Sequence, residues 1–179
     1  GLEKSAMTAT TPIGKPEQFD AIIVGAGFAG MYMLHRLRQQ GLKVRVLERA
    51  AGVGGTWYWN RYPGARCDVE SIEYSYTFDA KLQQEWEWSE RYATQPEILR
   101  YLDHVADRFD LRSDIQFETS VNSAEYDEQS RQWFISTLQG QHFAARYFIA
   151  ASGVLSEPNL PSYPGQERFT GKIYYTYHW

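Results

Sequence analysis

A glycine-rich turn between an apolar strand and a helix constrains the fold of this chain more than any other feature. The turn, Gly25-Ala26-Gly27-Phe28-Ala29-Gly30, has the spacing GxGxxG and follows the apolar run of residues 21–24. The apolar pattern after the turn predicts a helix closed by Gly41, and residues 43–48 then indicate a second strand. Strand, glycine turn, helix and strand form a βαβ unit, whose connection should be right-handed.

This turn has the chemistry of a dinucleotide site. Gly25 permits the tight turn, Gly27 lets the backbone approach a pyrophosphate, and Gly30 lets helix and strand pack closely. The helix N-terminus offers free amides and a positive dipole end to the phosphates. Glu48, which ends the second strand, can accept hydrogen bonds from ribose hydroxyls, and its charge would repel a 2′-phosphate. The turn therefore favours FAD or NAD over NADP but does not decide between FAD and NAD.

The rest of the chain extends this unit into an α/β fold. Residues 52–66 form a long loop rich in glycine and aromatic residues, which is uncommon unless functional. Residues 94–97 resemble a capping box that opens a helix with apolar side chains at Ile98, Leu102, Val105 and Phe109. Three strands are predicted, over residues 121–126, 131–138 and 142–149. Their order suggests a small antiparallel meander that returns as a parallel strand over residues 147–151.

Composition narrows the function classes. The net charge of -4 gives no support to binding of nucleic acid or anionic membranes. The single cysteine, Cys67, excludes a disulfide within the chain and the redox pair that flavin disulfide reductases use. No apolar run approaches membrane-spanning length and no signal peptide is visible, so we expect a cytoplasmic setting. We predict no metal site.

The choice between FAD and NAD comes from the aromatic loop. Residues 54–68, GGTWYWNRYPGARCD, match the pattern [AG]GxWxxxx[FY]PGxxxD at every fixed position. This pattern is typical of type I Baeyer–Villiger monooxygenases, and residues 19–164 resemble the phenylacetone monooxygenase branch of that family. The resemblance includes the runs NRYPGARCDVESIEYSY and ERYATQPEILRYLDHVADRFDLRSDI.

The resemblance implies a cofactor set and a reaction. The family uses FAD and NADP(H) to insert one oxygen atom of O2 beside a ketone carbonyl, giving an ester or lactone by way of a peroxyflavin. It implies a Rossmann-like FAD-binding domain: a parallel sheet with flanking helices and a small β-meander, incomplete at its C-terminus. The domains expected are a disordered tail or cloning remnant (1–18), the FAD-binding domain (19–157) and a linker (158–179) toward an absent NADP-binding domain.

Family roles carry over only at matching residues. The positions matched to the cofactors are Gly25, Gly27, Phe28, Gly30, Glu48, Gly55, Thr56, Trp57, Tyr58, Trp59, Arg66, Cys67, Asp68, Tyr74 and Val121. Arg66, Cys67 and Asp68 match a segment that also touches the nicotinamide cofactor. Asp68 is the catalytic candidate, because a carboxylate beside a flavin could hold an arginine whose charge stabilises a negative intermediate. If Asp68 were unpaired in a dry pocket, its pKa should rise.

The match departs from the family near its C-terminal end. Ala151-Ser152-Gly153 resembles a strand-end ATG with serine for threonine, and the fingerprint FxGxxxHxxxW has Tyr175 at its histidine position. Tyr175 puts the coupling between the two cofactors in question, whereas His178, three residues later, is expected to be an exposed tail residue.

The reaction also needs parts that these residues do not supply. A second GxGxxG, a catalytic arginine and a helical substrate domain are missing, so we expect the 179 residues alone to be inactive. We also expect an uncovered strand edge and apolar face. The alternatives are a flavin monooxygenase acting on nitrogen or sulfur, a non-catalytic flavin-binding module and, last, an NAD-only dehydrogenase. The ketone, the regiochemistry and the oligomeric state stay open.

Overall fold

A computed structural model gives the fold of residues 14–177 and 179. In chain order, the strands and helices are β1 (Glu17–Val24), α1 (Phe28–Gln39), β2 (Val44–Leu47), α2 (Thr56–Trp59), α3 (Ala80–Glu85), α4 (Gln95–Arg108), β3 (Ile115–Gln116), β4 (Val121–Asp127), β5 (Gln132–Thr137) and β6 (His142–Ala150). Single turns of 3-10 helix occur at Arg112–Asp114 and Gln166–Arg168. Among these helices, none is long and apolar enough to cross a membrane.

One mixed sheet organises the fold. Its strand order is β3-β2-β1-β6-β5-β4, and the pairs β3–β2, β2–β1 and β1–β6 are parallel, whereas β6–β5 and β5–β4 are antiparallel. The apolar run of residues 21–24 lies in the middle of the sheet, where Ile22 and Ile23 are completely buried. The predicted α/β class, with a mainly parallel sheet and an antiparallel meander, is confirmed.

The last strand differs from the prediction in one respect. We expected separate strands over residues 142–149 and 147–151, but β6 is a single strand that makes both kinds of pair. Its first residues pair antiparallel with β5, from Ser136↔His142 to Trp133↔Ala145. The other edge of β6 pairs parallel with β1 as far as Val24↔Ala150. A strand has two hydrogen-bonding edges, so one nine-residue strand can join the meander to the parallel sheet.

Helix α1 begins and ends as its sequence predicts. It packs Met31 and Leu34 against the sheet with no exposed surface. At its end, Gly41 adopts a left-handed conformation with φ of 76°. The Gly41 amide donates to Arg38 O at 2.9 Å and the Leu42 amide to Leu37 O at 3.2 Å. These two bonds form a Schellman motif, which satisfies the last carbonyls and turns the chain toward β2.

Helix α4 forms where its apolar spacing predicts, but it begins differently. Ile98, Leu102 and Val105 are buried as expected. The predicted capping box is wrong, because within the described chain the N-cap residue, Thr94, makes no side-chain capping bond. The Glu97 carboxylate instead accepts hydrogen bonds from the backbone and hydroxyl of Ser89, each at 2.8 Å. Glu97 therefore ties the preceding loop to the helix.

The N-terminal boundary also differs slightly from the expectation. Strand β1 begins at Glu17, so two residues assigned to the tail lie in the sheet, where Glu17 pairs with Phe143. Residues 14–16 form neither helix nor strand, whereas residues 1–13 of that assignment and the expectation for His178 lie outside the described residues. Toward the C-terminus, residues 158–165 form neither helix nor strand.

Tyr101 lies at the centre of the aromatic core that joins α4 to the loop before it. The side chain is 1% exposed, and its ring lies 5.0 Å from that of Trp88 and 5.3 Å from that of Trp86. Its hydroxyl accepts a hydrogen bond from the backbone amide of Tyr76 at 2.9 Å. Burial raises the pKa of Tyr101 to about 12, partly offset by that bond, so the phenol stays neutral at ordinary pH.

Replacing Tyr101 by phenylalanine should therefore destabilise the fold measurably. The change leaves the buried Tyr76 amide without its acceptor, which should lower the free energy of unfolding by about 1–3 kcal/mol in urea denaturation. Tyr126→Phe is the matched control, because Tyr126 is 44% exposed on β4 and its loss should change stability by less than about 0.5 kcal/mol. Equal effects of the two changes would show that the Tyr101 hydroxyl does not support the loop.

Candidate functional site

A cavity of about 760 Å³ opens at the carboxyl ends of β1, β2 and β6, beside the start of α1. Its volume lies in the range of small-molecule and cofactor sites. In open α/β sheets, ligands bind in the crevice outside the carboxyl ends of the parallel strands, which is where this cavity lies. The predicted site residues that line it are Gly25, Gly27, Phe28, Glu48, Gly55, Thr56, Trp57, Trp59, Tyr74 and Val121.

Two glycines of the turn are required by packing within the chain itself. Gly25 has φ of 100°, and a Cβ there would lie 2.5 Å from the carbonyl oxygen of Ala151. A Cβ on Gly30 would lie 1.8 Å from the carbonyl oxygen of Gly25. Both distances are far below van der Waals contact with backbone atoms. Gly25 and Gly30 therefore let α1 and β6 approach the turn closely, whether or not a ligand is bound.

Gly27 differs from its two neighbours in the motif. Its backbone is extended, with φ of -82° and ψ of -166°, a conformation that any residue can adopt. A Cβ there would come no closer than 3.5 Å to a described atom, the Cα of Gly55. Neither conformation nor packing requires glycine at this position. Gly27 lines the cavity at the start of α1, where the lack of a side chain would let the phosphates of a ligand approach the backbone closely.

Glu48 is the buried polar anchor of the cavity. Its side chain accepts hydrogen bonds from the backbone amide of Ala26 at 2.6 Å and from that of Ala50 at 2.7 Å. The residue is 5% exposed, yet it lines the cavity. A carboxylate has about four acceptor positions, so two amide bonds leave capacity for the hydroxyls of a ribose. Glu48 therefore shapes the glycine turn and also faces the cavity, a double position that the sequence did not reveal.

Aromatic residues of the loop form one wall of the cavity. The segment predicted as a loop contains one helical turn, α2, whose Trp57 is 7% exposed. The Trp57 indole Nε1 donates to the hydroxyl of Tyr74 at 3.0 Å, and the Tyr74 ring also meets that of Phe28 at 5.1 Å between centroids. These rings hold one another in fixed positions beside the glycine turn. They form a wall suited to a flat aromatic ligand.

The remaining predicted residues lie outside the cavity lining. Tyr58 packs its ring edge-on against Trp59, with centroids 5.0 Å apart. Cys67 is buried in the main core, and its amide donates to Ala93 O at 3.0 Å. Arg66 is exposed and pairs with Glu90 at 3.0 Å. The sequence pattern cannot separate these positions from the lining residues of the same loop, because all of them belong to the continuous motif of residues 54–68.

Asp68 is exposed to solvent in this chain rather than enclosed in a dry pocket. It nevertheless lies within electrostatic reach of the cavity. Burial raises the pKa of the Tyr74 hydroxyl above its usual value, the hydrogen bond from Trp57 opposes this rise, and electrostatic interactions with Cys67 and Asp68 add to it. The carboxylate of Asp68 therefore interacts electrostatically with a phenol that lines the cavity, although Asp68 is not part of the lining.

Sequence reasoning missed part of the lining. Arg49, Thr119, residues 151–154, Ser156 and Glu157 also border the cavity. The resemblance of Ala151-Ser152-Gly153 to a strand-end motif indicated part of this segment. Arg49 carries no motif of its own, and adjacency to Glu48 is the one signal that could have pointed to it.

Comparison with known proteins gives a consistent group of similar sequences. Residues 22–179 match the family described as pyridine nucleotide-disulphide oxidoreductase. The chain is 52% identical to a phenazine N-monooxygenase of Lysobacter antibioticus over 90% of its own length and 30% of that protein. It is 49% identical to the acetone monooxygenase (methyl acetate-forming) of Gordonia sp. (strain TY-5), over 89% of this chain and 30% of that enzyme.

A solved structure agrees with these sequence matches. The structure of an oxidized steroid monooxygenase bound to NADP superposes with a TM-score of 0.85 at 59% identity, over 90% of this chain and 31% of that one. The chain thus spans about 30% of the length of the curated relatives it matches.

The contrast between Gly27 and Gly30 gives a paired prediction. Gly27→Ala should lower the free energy of unfolding by only about 1 kcal/mol, because alanine is a poorer N-cap residue than glycine. It should weaken binding of FAD by about tenfold or more, because the methyl group occupies the space of the phosphates. Gly30→Ala should instead lower the free energy of unfolding by about 3 kcal/mol, because its methyl group collides with a carbonyl. Thermal denaturation and FAD titration of both variants separate the two roles.

A second prediction concerns the carboxylate of Glu48. Glu48→Gln places an NH₂ group opposite one of two buried amide donors, so it should lower the free energy of unfolding by about 1–3 kcal/mol in urea denaturation. Glu118→Gln is the control, because Glu118 is an exposed carboxylate nearby. Its replacement should change the free energy of unfolding by less than about 0.5 kcal/mol. A Glu48→Gln variant as stable as that control would contradict the anchoring role.

Proposed function

Because this chain belongs to the pyridine nucleotide-disulphide oxidoreductase family, we propose that it is the FAD-binding part of a flavin monooxygenase that uses NADPH and O2. The proposed reaction converts a ketone into an ester or lactone. The observation that carries this proposal is the cavity itself, which brings the GxGxxG turn, the Glu48 carboxylate and the Trp57–Tyr74 aromatic pair to one opening. A dinucleotide with a flat aromatic ring system has a part for each of the three features: its phosphates for the turn, a ribose for the carboxylate and its ring system for the aromatic pair.

The relatives support a monooxygenase rather than a disulfide reductase. The chain has one cysteine, and Cys67 is buried, so the dithiol chemistry in the family's description cannot be performed within these residues. The similar proteins are monooxygenases by name, and one of them forms methyl acetate. The resemblance to ketone-oxidising flavin monooxygenases that the aromatic loop predicted is thereby confirmed.

The chain's own residues bind and orient the cofactor in this proposal. Amides at the start of α1 bind the pyrophosphate, where the helix dipole adds a favourable potential. Glu48 accepts hydrogen bonds from ribose hydroxyls through the acceptor positions that Ala26 and Ala50 leave. Trp57 and Tyr74 exclude water from one side of the ring system. When bound, FAD supplies the redox chemistry that links NADPH to O2.

Asp68 has a separate role in this proposal. It interacts electrostatically with Tyr74 and is exposed in the described chain, so its carboxylate is available to a cation from another segment. An arginine held there would place positive charge beside the cofactor, where negative charge develops when O2 is reduced. In this way Asp68 contributes to the reaction by positioning its partner.

Oxidation of a ring nitrogen is the second candidate reaction. The phenazine N-monooxygenase is as similar to this chain as the acetone monooxygenase, at 52% against 49% identity. Identities so close do not favour either substrate class. The complete aromatic loop, typical of ketone oxidation, favours the first candidate.

Binding of FAD is the first test. We predict that the purified 179-residue chain, incubated with FAD and then desalted, keeps the visible absorbance bands of flavin. The reason is that the turn, Glu48 and the aromatic wall are already assembled in it. Glu118→Gln should retain flavin like the unchanged chain. Absence of flavin from the desalted chain would contradict the proposal that these residues are sufficient for binding.

The reaction can be tested in two chimeric enzymes, in each of which this chain replaces the matching region of a relative. The chain would replace the matching region of the acetone monooxygenase and, separately, that of the phenazine N-monooxygenase. We expect the first chimera to oxidise NADPH and form methyl acetate, and Asp68→Ala to lower that rate about tenfold or more. Glu128→Ala, an exposed carboxylate on the β4–β5 turn, should have no effect. Activity in the phenazine chimera alone would favour N-oxidation, and inactivity of both chimeras with FAD bound would contradict a monooxygenase role.

A further inference from the structure

Arg49 connects three separate parts of the chain at the rim of the cavity. Its guanidinium forms an ion pair with Glu157 and donates to the carbonyl oxygen of Ser156 at 2.7 Å. The same group donates to the hydroxyl of Tyr177 and lies over the ring of Trp59, 5.1 Å from its centroid. The aromatic loop, the segment after β6 and Tyr177 near the C-terminus therefore meet at one side chain, which follows the end of β2.

Tyr177 contacts both Arg49 and Trp59. Its ring stacks on that of Trp59, with centroids 5.7 Å apart and an interplanar angle of 22°. Tyr177 is 8% exposed, although it lies close to the end of the chain. The contacts of Tyr177 bring residues more than 120 positions apart in sequence into one cluster, since Arg49 and Tyr177 are 128 apart.

The segment after β6 has little apolar packing of its own. Val154 is 96% exposed and Leu155 is 57% exposed, yet Val154, Ser156 and Glu157 border the cavity. Burial of apolar side chains therefore does little to fix this part of the rim. Among the residues that the structure describes, the hydrogen bonds from Arg49 to Ser156 and Glu157 are the polar contacts that hold it near Trp59, because the Arg49 guanidinium lies over the Trp59 ring.

We infer that Arg49 is a positioning residue that holds residues 154–157 and Tyr177 against Trp59, and that it thereby slows release of the dinucleotide from the cavity. This inference rests on the proposed binding of FAD. Arg49 acts through the segment and the aromatic ring that it fixes. A guanidinium suits this role because its planar fork can donate to several oxygens while its face stacks on an aromatic ring.

The exposure of each partner of Arg49 indicates which of its contacts should affect the dissociation rate of FAD. The Glu157 side chain is 71% exposed, so solvent screens its ion pair, and Glu157→Gln should change the dissociation rate of FAD by less than about twofold. The bonds to Ser156 and Tyr177 are part-buried and should carry most of the effect. Arg49→Ala should therefore raise the dissociation rate by about tenfold. Arg49→Lys should restore part of this loss, because an ammonium keeps the charge but not the planar fork.

The kinetic test uses stopped-flow fluorescence to follow release of FAD from the chain into an excess of an apoflavoprotein that captures it. Arg61→Ala is the matched control, because Arg61 also stacks on a ring of the same loop, that of Tyr58 at 4.9 Å, but lies outside the cavity lining. Its rate should equal that of the unchanged chain. Equal rates for Arg49→Ala and Arg61→Ala would overturn the inference and leave the proposed FAD binding intact. Failure of the unchanged chain to bind FAD would overturn both.

Hydrogen exchange gives a second readout that needs no ligand. In Arg49→Ala, amides of residues 154–157 and around Trp59 should exchange about tenfold faster than in the unchanged chain, whereas amides of the central strand β1 should not change. Arg61→Ala should leave residues 154–157 unchanged. Unchanged exchange of that segment in Arg49→Ala would show that Arg49 does not hold the rim, which would overturn the inference regardless of FAD.

Discussion

The carboxylate of Glu48 fixes the geometry on which the candidate site depends. It lies at the carboxyl end of β2 and accepts one hydrogen bond from the glycine turn and another from the loop beyond β2. Burying a carboxylate without hydrogen-bond donors costs free energy, so the amides that the turn and the loop supply stabilise Glu48 in its buried position. This one side chain thereby links the glycine turn before α1 to the start of the loop that leads to the aromatic residues.

Around this anchor, the site divides into a rigid part and a more weakly held rim. Gly25 and Gly30 allow backbone contacts so close that a methyl group at either position would collide with a carbonyl. The rim, by contrast, is formed by residues 154–157, where Val154 is 96% exposed, and by the ring of Trp59, on which Tyr177 stacks. The rigid glycine turn and Glu48 can fix the phosphates and ribose of a dinucleotide. A rim held by a few polar contacts can open to let the dinucleotide enter and close to retain it. Arg49 joins the two parts, because it follows Glu48 in sequence and donates to Ser156.

The sequence predicted the fold well where local patterns decide it, and less well where distant residues do. The βαβ unit, helix α4 and the meander follow from periodicity and turn residues, which are local. The role of Glu97 could not be foreseen, because its partner Ser89 lies in a loop whose path depends on the aromatic core. For the same reason, Arg49 was missed, since its contacts with Tyr177 require the chain to return to β2. The aromatic motif predicted a continuous set of site residues, but the structure divides that set between the cavity lining, the core and the exposed surface.

The central claim is that one cavity, built around Glu48, binds FAD along the glycine turn and the aromatic wall. A crystal structure of the chain with FAD bound tests it most directly. The account predicts pyrophosphate oxygens within hydrogen-bonding distance of the amides at the start of α1, ribose hydroxyls at Glu48, and the flavin ring against Trp57 and Tyr74. Flavin bound instead in the second cavity, of about 670 Å³ and lined by Trp86 and Trp88, would contradict it.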